Sequence, residues 1–101
     1  MLFLLADSLM CLDLLHAGEQ LAVLDREMDW HHADVMDGHF CPNITLSPDM
    51  VAACRTVAKR PIEVHLMVER PADWIDRFAE IGVDMISLPH LWTPSVIIST
   101  R

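Results

Sequence analysis

The fold of this chain is most readily inferred from the segment Trp30-His31-His32-Ala33-Asp34-Val35-Met36. Side chains alternate across a β-strand, so His32, Asp34 and Met36 would share one face. The apolar Ala33 and Val35 would share the other face. Residues 37–43 follow, and their Asp-Gly and Pro-Asn pairs are typical of a loop. We therefore predict a strand over residues 30–36 that has one polar face and ends at a loop.

Strand and helix patterns alternate on both sides of this segment. Three further strands are predicted over residues 2–8, 62–67 and 83–88. Asp13 is predicted to cap a first helix, and Ser47-Pro48 to begin a second. A third helix is predicted to begin at Pro71 and to end before Gly82. Because strands separated by helices form right-handed βαβ units, we predict an α/β fold with about four parallel strands and three helices.

The composition excludes several classes of protein. Of the 101 residues, 52% are apolar, which excludes a disordered acidic tail. Fifteen acidic residues against seven basic ones give a net charge of −8, which argues against a nucleic-acid partner. No apolar run approaches the ~20 residues that a membrane-spanning helix needs. Cys11, Cys41 and Cys54 are odd in number and lack CxxC spacing, so we expect a reducing, cytoplasmic setting without a disulfide framework.

Two of the predicted strands place histidines on their polar faces. In the strand over residues 62–67, alternation puts His65 on the same face as Glu63 and Met67. If the strands are neighbours, His32, Asp34 and His65 converge into a half-site for a divalent metal such as zinc, iron, manganese or cobalt. Spacing alone leaves a structural interpretation open, in which these residues are polar strand ends, Glu63 is a structural polar group and the methionines pack in a core.

The segment over residues 30–45 resembles the signature of the ribulose-phosphate 3-epimerase family, in which a strand with His-x-Asp-x-Met-Asp-Gly leads into a Phe-x-Pro-Asn loop. Residues 8–10 (Ser-Leu-Met), residues 63–67 (Glu-Val-His-Leu-Met) and Arg70-Pro71 match in register. The resemblance covers about residues 4–88. Residues 8–15 and 46–48 are closest in motif to the allulose-6-phosphate 3-epimerase branch.

This resemblance implies the N-terminal half of a (β/α)8 TIM barrel, with the site at the C-terminal ends of the strands. It implies that His32, Asp34 and His65 bind a divalent metal ion. Asp34 would also be the acid/base at C3 of a ketose phosphate, either ribulose 5-phosphate or allulose 6-phosphate, in a reaction that passes through a metal-stabilised enediolate. The same resemblance implies that the substrate is contacted by Ser8, Met36 and Met67.

The chain departs from the family pattern at several positions. Asp7 replaces a usual Pro, and His31 stands where an apolar residue is usual. After residue 88 the family has a His and, two positions on, an acidic residue, whereas here the His is displaced to position 90 and no carboxylate follows. We therefore expect residues 1–90 to form a partial barrel and residues 91–101 to form a divergent tail, as in a truncated copy that lacks the second acid/base of the family. The alternative is a non-catalytic fragment or pseudoenzyme that self-associates through exposed strand edges.

Overall fold

Strands and helices alternate along the chain in the computed structural model, which describes residues 4–89 and 97–99. The strands are β1 (Ala6–Ser8), β2 (Trp30–Asp37), β3 (Ile44–Thr45), β4 (Ile62–Met67), β5 (Met85–Ser87) and β6 (Ile97–Ser99). The helices are α1 (Ala17–Glu27), α2 (Pro48–Val57) and α3 (Ala72–Ile81), with a short 3-10 helix over Leu9–Cys11. The predicted α/β class with three helices is confirmed.

All six strands belong to one sheet, in the order β1-β2-β4-β5-β6, with β3 beside β2. The pairs β1/β2, β2/β4 and β4/β5 are parallel, which confirms the predicted four-stranded parallel sheet. The short strands β3 and β6 pair antiparallel with β2 and β5, and neither was predicted. Most of the predicted tail over residues 91–101 lies outside the described residues, but β6 covers the outer edge of β5.

The core lies between one face of the sheet and the three helices. Each helix contributes a fully or almost fully buried side chain, namely Leu21 from α1, Val51 from α2 and Phe78 from α3. The sheet contributes alternate, buried residues of its two longest strands, which are Ala33, Val35, Ile62, Val64 and Leu66. Full burial of a large apolar side chain contributes roughly 1.5–3 kcal/mol relative to exposure, so this face drives the helices onto the sheet.

Two of the predicted helix ends are confirmed and one is wrong. Ser47 Oγ accepts a hydrogen bond from the Met50 N–H at 3.2 Å and caps α2. Gly82 ends α3 with φ at +94°, a conformation that glycine adopts without a Cβ penalty. Asp13 does not cap α1, because its carboxylate accepts from the Leu15 N–H at 3.0 Å in a turn, and the helix starts later.

The outer strands are shorter than the sequence predicts. Of residues 4–8, the described part of the first predicted strand, Leu4 and Leu5 are exposed and only Ala6–Ser8 pair with β2. The register explains this limit, since Ala6 pairs with Trp30, the first residue of β2. Among the described residues, none of the helices has both the length and the apolar character to cross a membrane.

Candidate active site

The strand register brings the predicted site residues together on the face of the sheet opposite the helices. Asp34 of β2 pairs directly with His65 of β4. Two residues further toward the C-terminal ends of these strands, Met36 pairs with Met67. These side chains are partly exposed, whereas their neighbours along each strand are buried, so the predicted alternation of faces is confirmed.

His32 occupies the centre of this cluster. Its Nε2 lies 2.7 Å from Asp34 Oδ1, and its ring centroid lies 5.7 Å from that of His65. Ser8, the last residue of β1, pairs in register with His32 on the opposite side from β4. The three elements thus place two imidazoles, one carboxylate and one serine within one small area.

Glu63 and Ser87 extend the cluster by a chain of hydrogen bonds. The Ser87 hydroxyl donates to Glu63 Oε2 at 2.8 Å, and the same Oγ lies 2.8 Å from His65 Nδ1. The other oxygen of Glu63 faces His32 Nδ1 at 3.4 Å. Sequence spacing left a structural role open for Glu63, and Ser87 was not among the predicted site residues. Alternation over residues 83–88 was the signal that could have placed Ser87 on this face.

The surroundings shift the pKa values of two of these groups. Burial raises the pKa of Glu63, but the Ser87 hydrogen bond and the charge of His32 outweigh it and lower that pKa below its ordinary value. Burial lowers the pKa of His65, and the charge of His32 lowers it further. At neutral pH the cluster therefore contains an ionised Glu63 and a neutral imidazole at His65, which is the form that binds metals.

The donor types suit a divalent metal, although they are not assembled around one. Imidazole nitrogen and carboxylate oxygen are ligands that zinc, iron, manganese and cobalt accept. Over residues 4–89 and 97–99, no group of three His, Cys, Asp or Glu side chains has the arrangement of a complete ligand set. His32 and Asp34 hydrogen-bond to each other, so a cation between them would replace that bond. His32, Asp34 and His65 are donors of these types that lie close together on this face.

Asp37 ties together the two loops that follow β2 and β4. Its carboxylate accepts from the backbone N–H groups of His39 at 2.9 Å, Phe40 at 3.0 Å and Glu69 at 2.8 Å. These bonds, with the one from Glu69 the largest effect, lower the pKa of Asp37 to about 2. The sequence predicts only that a loop begins at Asp37, and the partner loop follows from the register of β2 against β4.

The comparisons with known proteins place the chain in one family. The model of the "Ribulose-phosphate 3 epimerase family" matches residues 4–96. The chain is 40% identical to the ribulose-phosphate 3-epimerase of Synechocystis sp. over 94 residues, which is 85% of this chain and 41% of that protein. It is 41% identical to the Bacillus subtilis protein of the same name over 92 residues, which is 85% of this chain and 42% of the relative.

A third relative, the ribulose-phosphate 3-epimerase of Aquifex aeolicus, is 43% identical over 86 residues, which is 84% of this chain and 39% of that protein. The chain therefore spans about two fifths of the length of the curated relatives it matches. The resemblance predicted from residues 30–45 is confirmed at the level of the family, and the allulose-6-phosphate branch stays a prediction. The chain belongs to the ribulose-phosphate 3-epimerase family.

Proposed function

We propose that this chain carries the divalent-metal ligands and one acid/base group of a ketose-phosphate 3-epimerase. The observation that carries the proposal is the meeting of His32, Asp34 and His65 on one partly exposed face of a parallel sheet. In barrels of this class, active sites lie at the C-terminal ends of the strands. The names of the relatives favour a ribulose phosphate as the substrate. We take it to be ribulose 5-phosphate, with allulose 6-phosphate as the alternative.

His32, Asp34 and His65 are the residues that would hold the metal. When bound, a divalent metal supplies Lewis-acid stabilisation for negative charge that develops on the substrate oxygens. The lowered pKa of His65 supports this assignment, because a neutral imidazole offers a lone pair at neutral pH.

Asp34 would take the proton from C3 of the ketose phosphate and return a proton to the same carbon. Two contacts hold it in place for this task. His32 Nε2 lies 2.7 Å from its carboxylate, and the Thr45 hydroxyl donates to its backbone carbonyl at 2.7 Å. A positioned carboxylate of this kind contributes about 10²–10⁴-fold to the rate of a proton transfer.

Ser8, Met36 and Met67 would contact the substrate around this carboxylate. Met36 and Met67 are direct neighbours across β2 and β4, so together they form an apolar, polarizable surface beyond Asp34. The Ser8 hydroxyl, at the end of β1, would offer a hydrogen bond to a substrate oxygen.

The proposal is tested by the exchange of the C3 proton of ribulose 5-phosphate and allulose 6-phosphate in D₂O, followed by NMR with added zinc or manganese. This half-reaction needs one acid/base group, so it reports on Asp34 directly. We expect metal-dependent deuterium incorporation, which falls at least ~100-fold in Asp34→Asn. Asp49→Asn, on the exposed surface of α2, is the matched control and should exchange at the wild-type rate. Absence of exchange with both substrates, or equal rates in Asp34→Asn and wild type, would overturn the proposal.

A further inference from the structure

We infer that Glu63 and Ser87 are positioning residues that hold the imidazole of His65 as its Nδ1–H tautomer and so leave Nε2 as the free lone pair. The inference deepens the proposed function and rests on it for its purpose. The His65 tautomer, however, is a property of the metal-free chain. Neither residue belongs to the predicted ligand or substrate set.

The Ser87 hydroxyl has a single proton to donate, and this determines which ring nitrogen of His65 carries its hydrogen. Ser87 has one hydroxyl proton, and it donates that proton to Glu63 Oε2 at 2.8 Å. The Ser87 Oγ also lies 2.8 Å from His65 Nδ1, and with its proton already committed it can only accept there. The hydrogen must therefore be on Nδ1 of His65, which leaves the lone pair on Nε2.

The carboxylate of Glu63 determines which way these hydrogen bonds run, because Ser87 donates to its Oε2. An ionised carboxylate is only an acceptor, so Ser87 cannot reverse its bond while Glu63 is charged. The serine is thus locked between a charged acceptor on β4 and the ring of His65 on the same strand.

The same carboxylate faces the second imidazole of the cluster. Glu63 Oε1 lies 3.4 Å from His32 Nδ1, while Nε2 of that ring is directed at Asp34. One carboxylate is therefore next to Nδ1 of His32 and linked through Ser87 to Nδ1 of His65. Partners that orient histidine ligands from the opposite ring nitrogen typically affect metal affinity by about 10–100-fold.

The placement of these groups on strands makes the arrangement rigid. Glu63 and His65 are two residues apart on β4, and Ser87 pairs in register with His65 from β5. Ser87 is 7% exposed, so water has little access to its hydroxyl. The link from Glu63 to His65 therefore does not depend on a loop.

The test is a long-range ¹H–¹⁵N NMR experiment on the histidine rings of the metal-free full chain at about pH 8, above the ordinary histidine pKa of about 6.5. Wild-type His65 is expected to show the Nδ1–H pattern. Ser87→Ala removes the acceptor, and His65 is expected to shift toward Nε2–H, the form that an unconstrained imidazole prefers in water. Glu63→Gln is expected to shift the His65 tautomer partly toward Nε2–H. The Gln amide can donate to the Ser87 oxygen, which frees the Ser87 proton for His65 Nδ1.

Ser47→Ala is the matched control, since it also removes a hydroxyl that accepts a hydrogen bond but acts at the cap of α2. We expect it to leave the His65 tautomer unchanged. An Nε2–H pattern in wild type, or an Nδ1–H pattern that persists in Ser87→Ala, would overturn the inference. Because no metal or substrate is added, either result is independent of whether the chain exchanges the C3 proton.

A second readout connects the tautomer to ligand binding. In a calorimetric zinc titration, Ser87→Ala is expected to bind about 10–100-fold more weakly than wild type, and Ser47→Ala to bind equally. An unchanged affinity in Ser87→Ala would contradict a positioning role. If wild type binds no zinc while His65 is Nδ1–H, the proposed metal site fails and the tautomer assignment stands.

Discussion

His31 and Asp7 form a buried pair, in which Nδ1 of the ring lies 2.8 Å from the carboxylate and the histidine side chain is fully buried. The other ring nitrogen lies 2.8 Å from Asp25 Oδ1 at the end of α1. The family resemblance leads us to expect Pro at position 7 and an apolar residue at position 31. These two departures contact each other, so they form one paired feature that joins β1, β2 and α1.

Replacement of His31 is expected to destabilise the fold strongly. His31→Leu would leave Asp7, whose side chain is 7% exposed, without its partner, at a cost of about 3–5 kcal/mol in the free energy of unfolding. Asp7→Ala combined with His31→Leu should cost less than the sum of the two single changes, with a coupling of about 0.5–3 kcal/mol. Urea denaturation of the four proteins measures this coupling. Strictly additive effects would show that the pair does not act as a unit.

Stability is expected to fall in acid through Asp25. Burial raises the pKa of this carboxyl, but bonds from His31 and from the backbone of Arg60 and Lys59 outweigh it and lower the pKa from 3.8 to about 2. Between these two pKa values the unfolded chain binds more protons than the folded chain. The contribution of Asp25 to the free energy of unfolding is therefore present above about pH 4 and is lost as the pH falls through 3.8 toward 2.

The variant Asp25→Asn should reduce the slope of unfolding free energy against pH in that window. Asp37, whose pKa is also about 2, titrates in the same range, so part of the slope should persist. Urea unfolding at a series of pH values between neutrality and the acid limit of the folded state provides the measurement. An identical slope in Asp25→Asn and wild type would contradict the assignment.

Asp37→Ala is expected to loosen the loops around the site without unfolding the sheet. The change removes the acceptor for three backbone N–H groups, which belong to His39, Phe40 and Glu69. Amide hydrogen exchange should accelerate at these three positions, while the amides of Val64 and Leu66 in β4 keep their protection. Unchanged exchange at Glu69 would show that Asp37 does not tie the loop after β4 to the loop after β2.

Self-association is expected, as the sequence analysis predicts, because the sheet ends in two short outer strands. In the described part of the chain these are β1 on one side and β6 on the other. Exposed strand edges pair readily with other chains. Sedimentation of the pure chain should show dimers or larger species at micromolar concentration, and a folded monomer throughout that range would refute the expectation.

Periodicity predicted the parts of the fold in which one face is buried. Alternation in β2 placed Ala33 and Val35 together on the face away from the polar side chains, and the structure has both buried. The helix-capping preferences of serine and glycine predicted the two confirmed helix ends, at Ser47 and Gly82. These features are local, since each depends on residues within a few positions along the chain.

Features that depend on distant partners could not be predicted in this way. Asp is a residue type that often caps helices, but the carboxylate of Asp13 accepts a hydrogen bond from Leu15 in a turn instead. Alternation places His31 on the face opposite the site, and nothing local indicates its carboxylate partners, which come from positions 7 and 25. Ser87 joined the site only through the register of β5 against β4. In each case the partner is chosen by tertiary packing, which a local pattern does not encode.

The central claim is that His32, Asp34 and His65 form one divalent-metal site, and a calorimetric zinc titration of the full chain tests it most directly. Wild type is expected to bind zinc at one site, and His65→Ala to bind at least ~10-fold more weakly. His39→Ala is the matched control, because that imidazole is 72% exposed and lies 3.9 Å from its nearest carboxylate, Glu69. Weakened binding in His65→Ala but not in His39→Ala is the predicted result, and equal affinity in His65→Ala and wild type would contradict the account.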